Sequence, residues 1–233
     1  ALSLYLGDQA TAPARVVQLH GPGPEGERPA RAFESAMARV LPEVPVETVA
    51  YADAASLEAA LSAAGGADVL AVWPSDMAGA LASLASTAPD AARIFLPSAA
   101  KDQALAVLPP EVMARTRLVW PYDKPGSYHP RKFRIRGWMH SRRLEVSHPR
   151  IQLQTYYALT MAEFSLMHMI DDFYRDYMLE IIEHQAENEL NPGTHPELAL
   201  GPGQRFASKG AFIAELAPET RLGYRVVSDW IVP

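Results

Sequence analysis

Cysteine is missing from all 233 residues, which excludes disulfides, thiolate nucleophiles and zinc–thiolate sites. Such a composition suits an oxidising compartment. Long apolar runs are missing as well, since no stretch approaches the ~18 residues of a membrane span. There is no surplus of positive charge: 21 Lys and Arg stand against 27 Asp and Glu, for a net charge of −6. A general nucleic-acid binder shows the opposite balance, so no nucleic-acid partner is expected. The nucleophile elbow G-x-S-x-G does not occur, and no Ser-His-Asp set assembles from the spacing.

Two motifs imitate chemistry without supplying it. "GPGQRFASKGAFIAEL", residues 201–216, crowds glycines, basic residues and a serine together. A phosphate loop needs G-x-x-x-x-G-K-[ST], with lysine and then hydroxyl after the last glycine. Here the order is Ser208-Lys209-Gly210, and "AFIAEL" is short and reads as a strand at least as well as a helix, so no helix N-terminus is assured to receive an anion. The stretch therefore predicts a turn entering a strand, with Lys209 solvated or paired with a carboxylate. Glu180 and His184, beside Glu183 and Glu187, imitate a metal site. A di-iron site needs Glu-x-x-His on two helices plus further glutamates, whereas this pair is spaced i+4 and occurs once. No catalytic residue, metal or cofactor is expected.

What the chain does contain is ordinary globular material. Apolar content of 48% with 21% charge supports a core large enough for one large domain or two modest ones. Residues 15–123 alternate between strand-like and helix-like stretches. "RVVQLHG" precedes "ERPARAFESAMARVL", where Ala30, Phe33, Met37 and Val40 recur at helical spacing. "VPVETVAY", "ADVLAVWP", "ARIFLPSA" and "TRLVWPY" read as further strands, separated by "ASLEAALSAAG" and "DMAGALASLAST". Strands divided by helices of about ten residues imply βαβ crossovers. The expected class is α/β: a parallel, doubly wound lobe over residues 15–124, preceded by a short segment, 1–14.

Residues 125–233 are expected to differ. A basic block around 124–150 carries eight Lys and Arg against Glu145 alone. Next comes a single long helix over 151–188, with Leu166, Ile170, Phe173, Tyr177 and Ile181 on one face, ended by Asn191-Pro192-Gly193. A C-terminal β-hairpin closes the chain. The basic block, with Phe133 and Trp138 among its Arg and Lys, has a pattern that can bind nucleic acid or an acidic protein partner, but the overall negative charge favours its neutralising the acidic helix that follows. Tyr128, Arg131, Phe133, Arg134, Arg136 and Trp138 are its contact candidates, because Arg and aromatic residues are enriched in interfaces.

The order of segments resembles the type I periplasmic solute-binding proteins, the Leu/Ile/Val-binding kind that serve ABC transporters. "RVVQLHGPGPEGERPARAFESAMARV" is similar to the start of that family's second lobe, "GADVLAVWPSDMAGALASL" to its D-V-hydrophobic strand, and "RTRLVWPYDKP" to the strand leading back to the first lobe. "QTYYALTMAEFSLMHMI" resembles the returning helix, and "YRVVSDWIVP" the closing strands. The resemblance implies a non-enzymatic, exported protein that binds a small amino-acid-like solute and meets a permease. It places His20, Gly21, Ser75, Asp76, Ser98 and Tyr122 at the carboxyl ends of strands, where open α/β sheets hold ligands. Tyr156 and Tyr157 would join them from the returning helix. Asp76 would take an ammonium group, and Ser75 and Ser98 a carboxylate.

One departure weakens that expectation. "ALSLYLG" resembles the first lobe's first strand, yet the second lobe follows within a few residues. With only one wall of the cleft, solute affinity should be weak. The alternative is a binding-protein fold retained as an accessory or structural subunit of a larger exported or membrane-associated complex. The opening at Ala1, without an initiator Met, fits a mature protein whose signal peptide has been removed.

Overall fold

Short β-branched runs alternating with alanine-rich helices cannot bury both kinds of face unless the strands assemble into a sheet covered by the helices. The computed structural model describes residues 1–124, 130–171, 173–188, 195, 196, 198 and 207–233, without the side chains of 130–132, 187 and 188. They divide into two compact units: Ala1–Trp120 with Ala211–Pro233, and Pro121–Gly210.

The first unit opens with helix α1 (Leu2–Gly7). Strands β1 (Val16–His20), β2 (Val46–Ala50), β3 (Val69–Trp73), β4 (Ile94–Pro97) and β5 (Thr116–Trp120) follow. Between them lie α2 (Pro24–Val40), α3 (Ala54–Ala63), α4 (Met77–Thr87), a 3-10 turn (Ser98–Ala100) leading into α5 (Lys101–Val107), and α6 (Pro110–Arg115). With β6 (Phe212–Leu216) and β7 (Tyr224–Val226), the strands form a seven-stranded sheet in the order β2-β1-β3-β4-β5-β6-β7. The first five are parallel, and the last two join antiparallel.

Composition explains each place in the sheet. β3, Val-Leu-Ala-Val-Trp, is buried along its whole length, as a strand covered on both faces must be. β2 lies at an edge and keeps Glu47 and Thr48 exposed. Helix α2 buries Ala30, Phe33 and Met37, one face at i, i+3, i+7, against Val16, Val69, Ala71 and Trp73. The capping box of Asp53 with Ser56 starts α3. Asp68 Oδ2 accepts the Arg15 N–H at 3.0 Å and the Ala14 N–H at 2.7 Å. These two bonds hold its carboxyl below the usual aspartate range. A lowered folded pKa gives stability that is complete above the unfolded value and is lost as pH falls through the folded one. Asp68→Asn should therefore flatten the acid limb of thermal stability, followed by melting from neutral to strongly acid pH. An unchanged limb would show that other carboxylates set it.

The described residues of the second unit form three helices: α7 (Pro130–Ser141), α8 (Pro149–His168) and α9 (Arg175–Asn188). Among its described residues there is no strand. Ile135 and Met139 of α7 pack with Leu153 of α8, and Tyr156 lies against them.

Three sequence expectations are corrected. Leu2–Gly7, expected within the 1–14 segment as a strand, is helical: Leu2 and Leu6, spaced i, i+4, are both buried in the core, whereas the alternating position Leu4 is only half-buried. The single helix over 151–188 is two, because Ile170 adopts φ +48° beyond the end of α8; Leu166, Ile170, Phe173 and Tyr177 are exposed. Segment 125–233 is also split, since residues 211–233 return to the sheet of the first unit. Ser208–Gly210, an irregular segment after a bend at Ala207, leads into β6, a strand; residues 201–206 lie outside the described residues.

Candidate functional site

From β1 the chain moves outward to β2, while from β3 it moves to β4 on the opposite side. The loops leaving β1 and β3 therefore diverge at their carboxyl ends and open a crevice, the switch point at which open α/β sheets bind ligands. Backbone bonds tie the strand ends together. Gly21 N donates to Trp73 O at 3.0 Å, and Tyr51 N donates to His20 O at 3.1 Å.

Glycine is required at position 21. A Cβ there would run into Ser75 Oγ and lie 2.9 Å from Ser75 N and 3.1 Å from Tyr51 Oη. Its absence lets the three chain segments meet. Asp76 caps α4, with Oδ1 accepting the Ala78 N–H at 3.1 Å. Tyr51, Asp53, Ser75, Asp76 and Gly79 line a cavity of 290 Å³.

Tyr51 Oη is buried and has no hydrogen-bond partner. Burial, followed by the charge of Asp76, holds its phenol above the usual tyrosine value, so it is a neutral hydroxyl able to donate. Leaving such a group unpaired costs roughly 1–3 kcal/mol, which a bound polar group would recover. Tyr51 was not among the residues picked from the sequence. Its signal was there, as the last residue of the predicted strand "VPVETVAY".

The other candidates are spread more widely. His20 is half-buried at the end of β1, its Nδ1 3.1 Å from Gly21 O. Ser98 is half-buried at the start of the 3-10 turn after β4. Tyr122, Tyr156 and Tyr157 belong to the second unit. Arg150 lies 4.2 Å from the centroid of the Tyr122 ring, and the His195 ring lies tilted by 40° against it, with centroids 5.3 Å apart. His195 donates from Nδ1 to Pro121 O at 2.9 Å and accepts at Nε2 from Gln154 Nε2 at 3.3 Å. Burial lowers its pKa against the opposing pull of the Pro121 bond. Tyr156 is engaged by Trp138, with ring centroids 5.3 Å apart, and burial raises the phenol of Tyr157.

Of the contact candidates, Phe133, Arg134, Arg136 and Trp138 are exposed on α7. Tyr128 and the side chain of Arg131 lie outside the described residues. A larger cavity of 740 Å³ touches Tyr5, Asp8, Val40, Asp229 and Ile231 of the first unit. It contains none of the candidate binding residues, so the cavity beside Tyr51 and Asp76 is the better candidate.

No family model and no curated protein matches the sequence. Solved structures do match it. A branched-chain amino acid ABC transporter protein from Thermus thermophilus with bound valine aligns over 100% of this chain and 64% of its own, at 14% identity and a TM-score of 0.69. An ABC transporter substrate-binding protein from Aeropyrum pernix aligns over 100% and 63%, at 13% identity and a TM-score of 0.67. The fold is that of the type I periplasmic binding proteins. A fatty acid ABC transporter substrate-binding protein from Thermomonospora curvata shares this binding-protein fold, at 14% identity, a TM-score of 0.63, and coverage of 94% and 57%. Valine and fatty-acid proteins on one fold show that the architecture does not dictate the solute. The chain spans less than two thirds of the length of each of these binding proteins.

Proposed function

We propose that the first unit forms one wall of a solute-binding cleft in an exported, non-enzymatic protein. The solute is small and amino-acid-like, and it is held weakly. The observation that carries this reading is the partnerless hydroxyl of Tyr51 beside Asp76, in a cavity between the starts of α3 and α4 at the carboxyl ends of β2 and β3. Asp76 provides the charge for an ammonium group, while Ser75 and Tyr51 provide hydroxyls for a carboxylate; Ser98, beyond β4, does not line this cavity. Weakness follows from size, because 290 Å³ falls at the lower edge of ligand pockets, roughly 300–1,000 Å³. The shared fold of ABC transporter binding proteins supports a receptor role, in which a permease is the protein partner.

The test is calorimetric titration of amino acids into the chain and into Asp76→Asn. Asparagine keeps the cap on α4 but removes the charge. Affinity should fall at least tenfold, about 1.4 kcal/mol, and Tyr51→Phe should lower it further. Equal affinity in Asp76→Asn would remove Asp76 from the site. A second reading, an interaction subunit, is favoured by the exposed Phe133, Arg134 and Arg136 of α7. It gains if no amino acid binds and the protein elutes from its own cells within a larger particle.

A further inference from the structure

We infer that the cavity between the starts of α3 and α4 selects amino acids of net positive charge, with Asp76 taking the α-ammonium group and Asp53 a cationic side chain. This inference rests on the solute-binding reading of the first unit and narrows it to a substrate class.

Both helices begin on an aspartate that uses only one of its oxygens for the cap. Asp53 Oδ1 accepts the Ser56 N–H at 2.8 Å and the Ser56 hydroxyl at 2.7 Å, and Asp76 Oδ1 accepts the Ala78 N–H at 3.1 Å. Among the described residues, Oδ2 of each has no hydrogen-bond or ion-pair partner. Both side chains line the cavity and are exposed, so they stand at its rim. One turn further along, Leu57 of α3 and Ala80 of α4 are buried and line the same cavity. Two rim carboxylates thus share an apolar floor. The buried, unpartnered hydroxyl of Tyr51 supplies a donor within.

Gly79 keeps room for this arrangement. A Cβ there would lie 2.5 Å from Asp76 Oδ2. A residue that favours helices poorly therefore sits in the first turn of α4, where it lets the carboxylate lie over the helix end.

Charge decides the class of solute. Among the described residues that line the cavity there is no Lys, Arg or His. The N-terminus of each helix contributes roughly half a positive charge, which offsets about half of each carboxylate. The lining keeps a net charge of about −1. An amino acid with a neutral side chain is a zwitterion, which adds no net charge and satisfies Asp76 alone. A lysine-like solute brings one net positive charge and a second cation for Asp53. Its α-carboxylate meets the hydroxyls of Tyr51 and Ser75. Its methylene stem lies on Leu57 and Ala80 while the charged tip stays at the wet rim, as long basic side chains do on apolar surface.

The test is a paired titration of L-lysine and L-norleucine, which is lysine without its terminal ammonium group, with L-glutamate as the acidic member. At low salt, lysine should bind about three- to fivefold more tightly than norleucine, the contribution of an exposed ion pair, and glutamate more weakly than either. In Asp53→Asn, which keeps the cap on α3, the lysine-to-norleucine ratio should fall to about one. Salt checks the same charge without a substitution: at about 0.5 M, where exposed charges are screened within a few ångströms, the lysine advantage should disappear. Equal affinity for lysine and norleucine, tighter binding of glutamate, an unchanged ratio in Asp53→Asn or an advantage that survives high salt would each overturn the inference and leave the solute-binding reading standing. Binding of none of the three would overturn both.

Discussion

Replacing Gln18 with Leu is expected to lower the unfolding free energy by about 2–4 kcal/mol, the cost of leaving buried polar groups without partners. Gln18 is fully buried in β1. Its Nε2 donates to Ala30 O at 3.1 Å and to Thr48 Oγ1 at 2.8 Å, and its Oε1 accepts the Trp73 Nε1–H at 3.0 Å. One amide thus joins β1, α2, β2 and β3 beneath the candidate crevice. Leucine matches the size but satisfies none of these groups. Thr48 is exposed and can turn to water, whereas the buried Trp73 N–H cannot. Urea unfolding at unchanged slope measures the loss. A change below about 0.5 kcal/mol, the usual range of surface substitutions, would mean that this hub is not what holds the four elements in place.

Gly21→Val is expected to abolish solute binding in a chain that still folds. The added Cβ runs into Ser75 Oγ, which must move, and comes within 3.1 Å of Tyr51 Oη, which must give way slightly, so the two hydroxyls of the site are displaced. Crowding of this kind in packed regions costs roughly 1–3 kcal/mol, less than the stability of a typical domain. Circular dichroism would confirm the fold, and the same calorimetry used for Asp76→Asn would report the loss. The two variants separate shape from charge: Asp76→Asn leaves the crevice open, and Gly21→Val fills it. Full binding by Gly21→Val would move the site away from the switch point.

The five parallel strands were readable because each is a short, mostly apolar run, with helical periodicity in the stretches between the first four. Burial on both faces made β3 the clearest of them. Helix α1 was not readable, since Leu2, Leu4 and Leu6 satisfy a period of two while Leu2 and Leu6 also satisfy helical spacing. Only packing on the core chose between the two. Nor did pattern reveal the end of α8, because Leu166, Ile170, Phe173 and Tyr177 keep helical spacing across a break made by one left-handed residue.

By itself, the sequence determined the class of fold, the absence of cysteine chemistry and the failure of the Ser208-Lys209-Gly210 turn as a phosphate loop. Those follow from composition, local periodicity and residue order. Tertiary structure alone decided that β6 and β7 return to β5, and that Gly21, Tyr51 and Ser75 close on one crevice. Residues so far apart in sequence meet because parallel register places the ends of β1, β2 and β3 side by side. Register is a property of strand pairing, and no single stretch of chain encodes it.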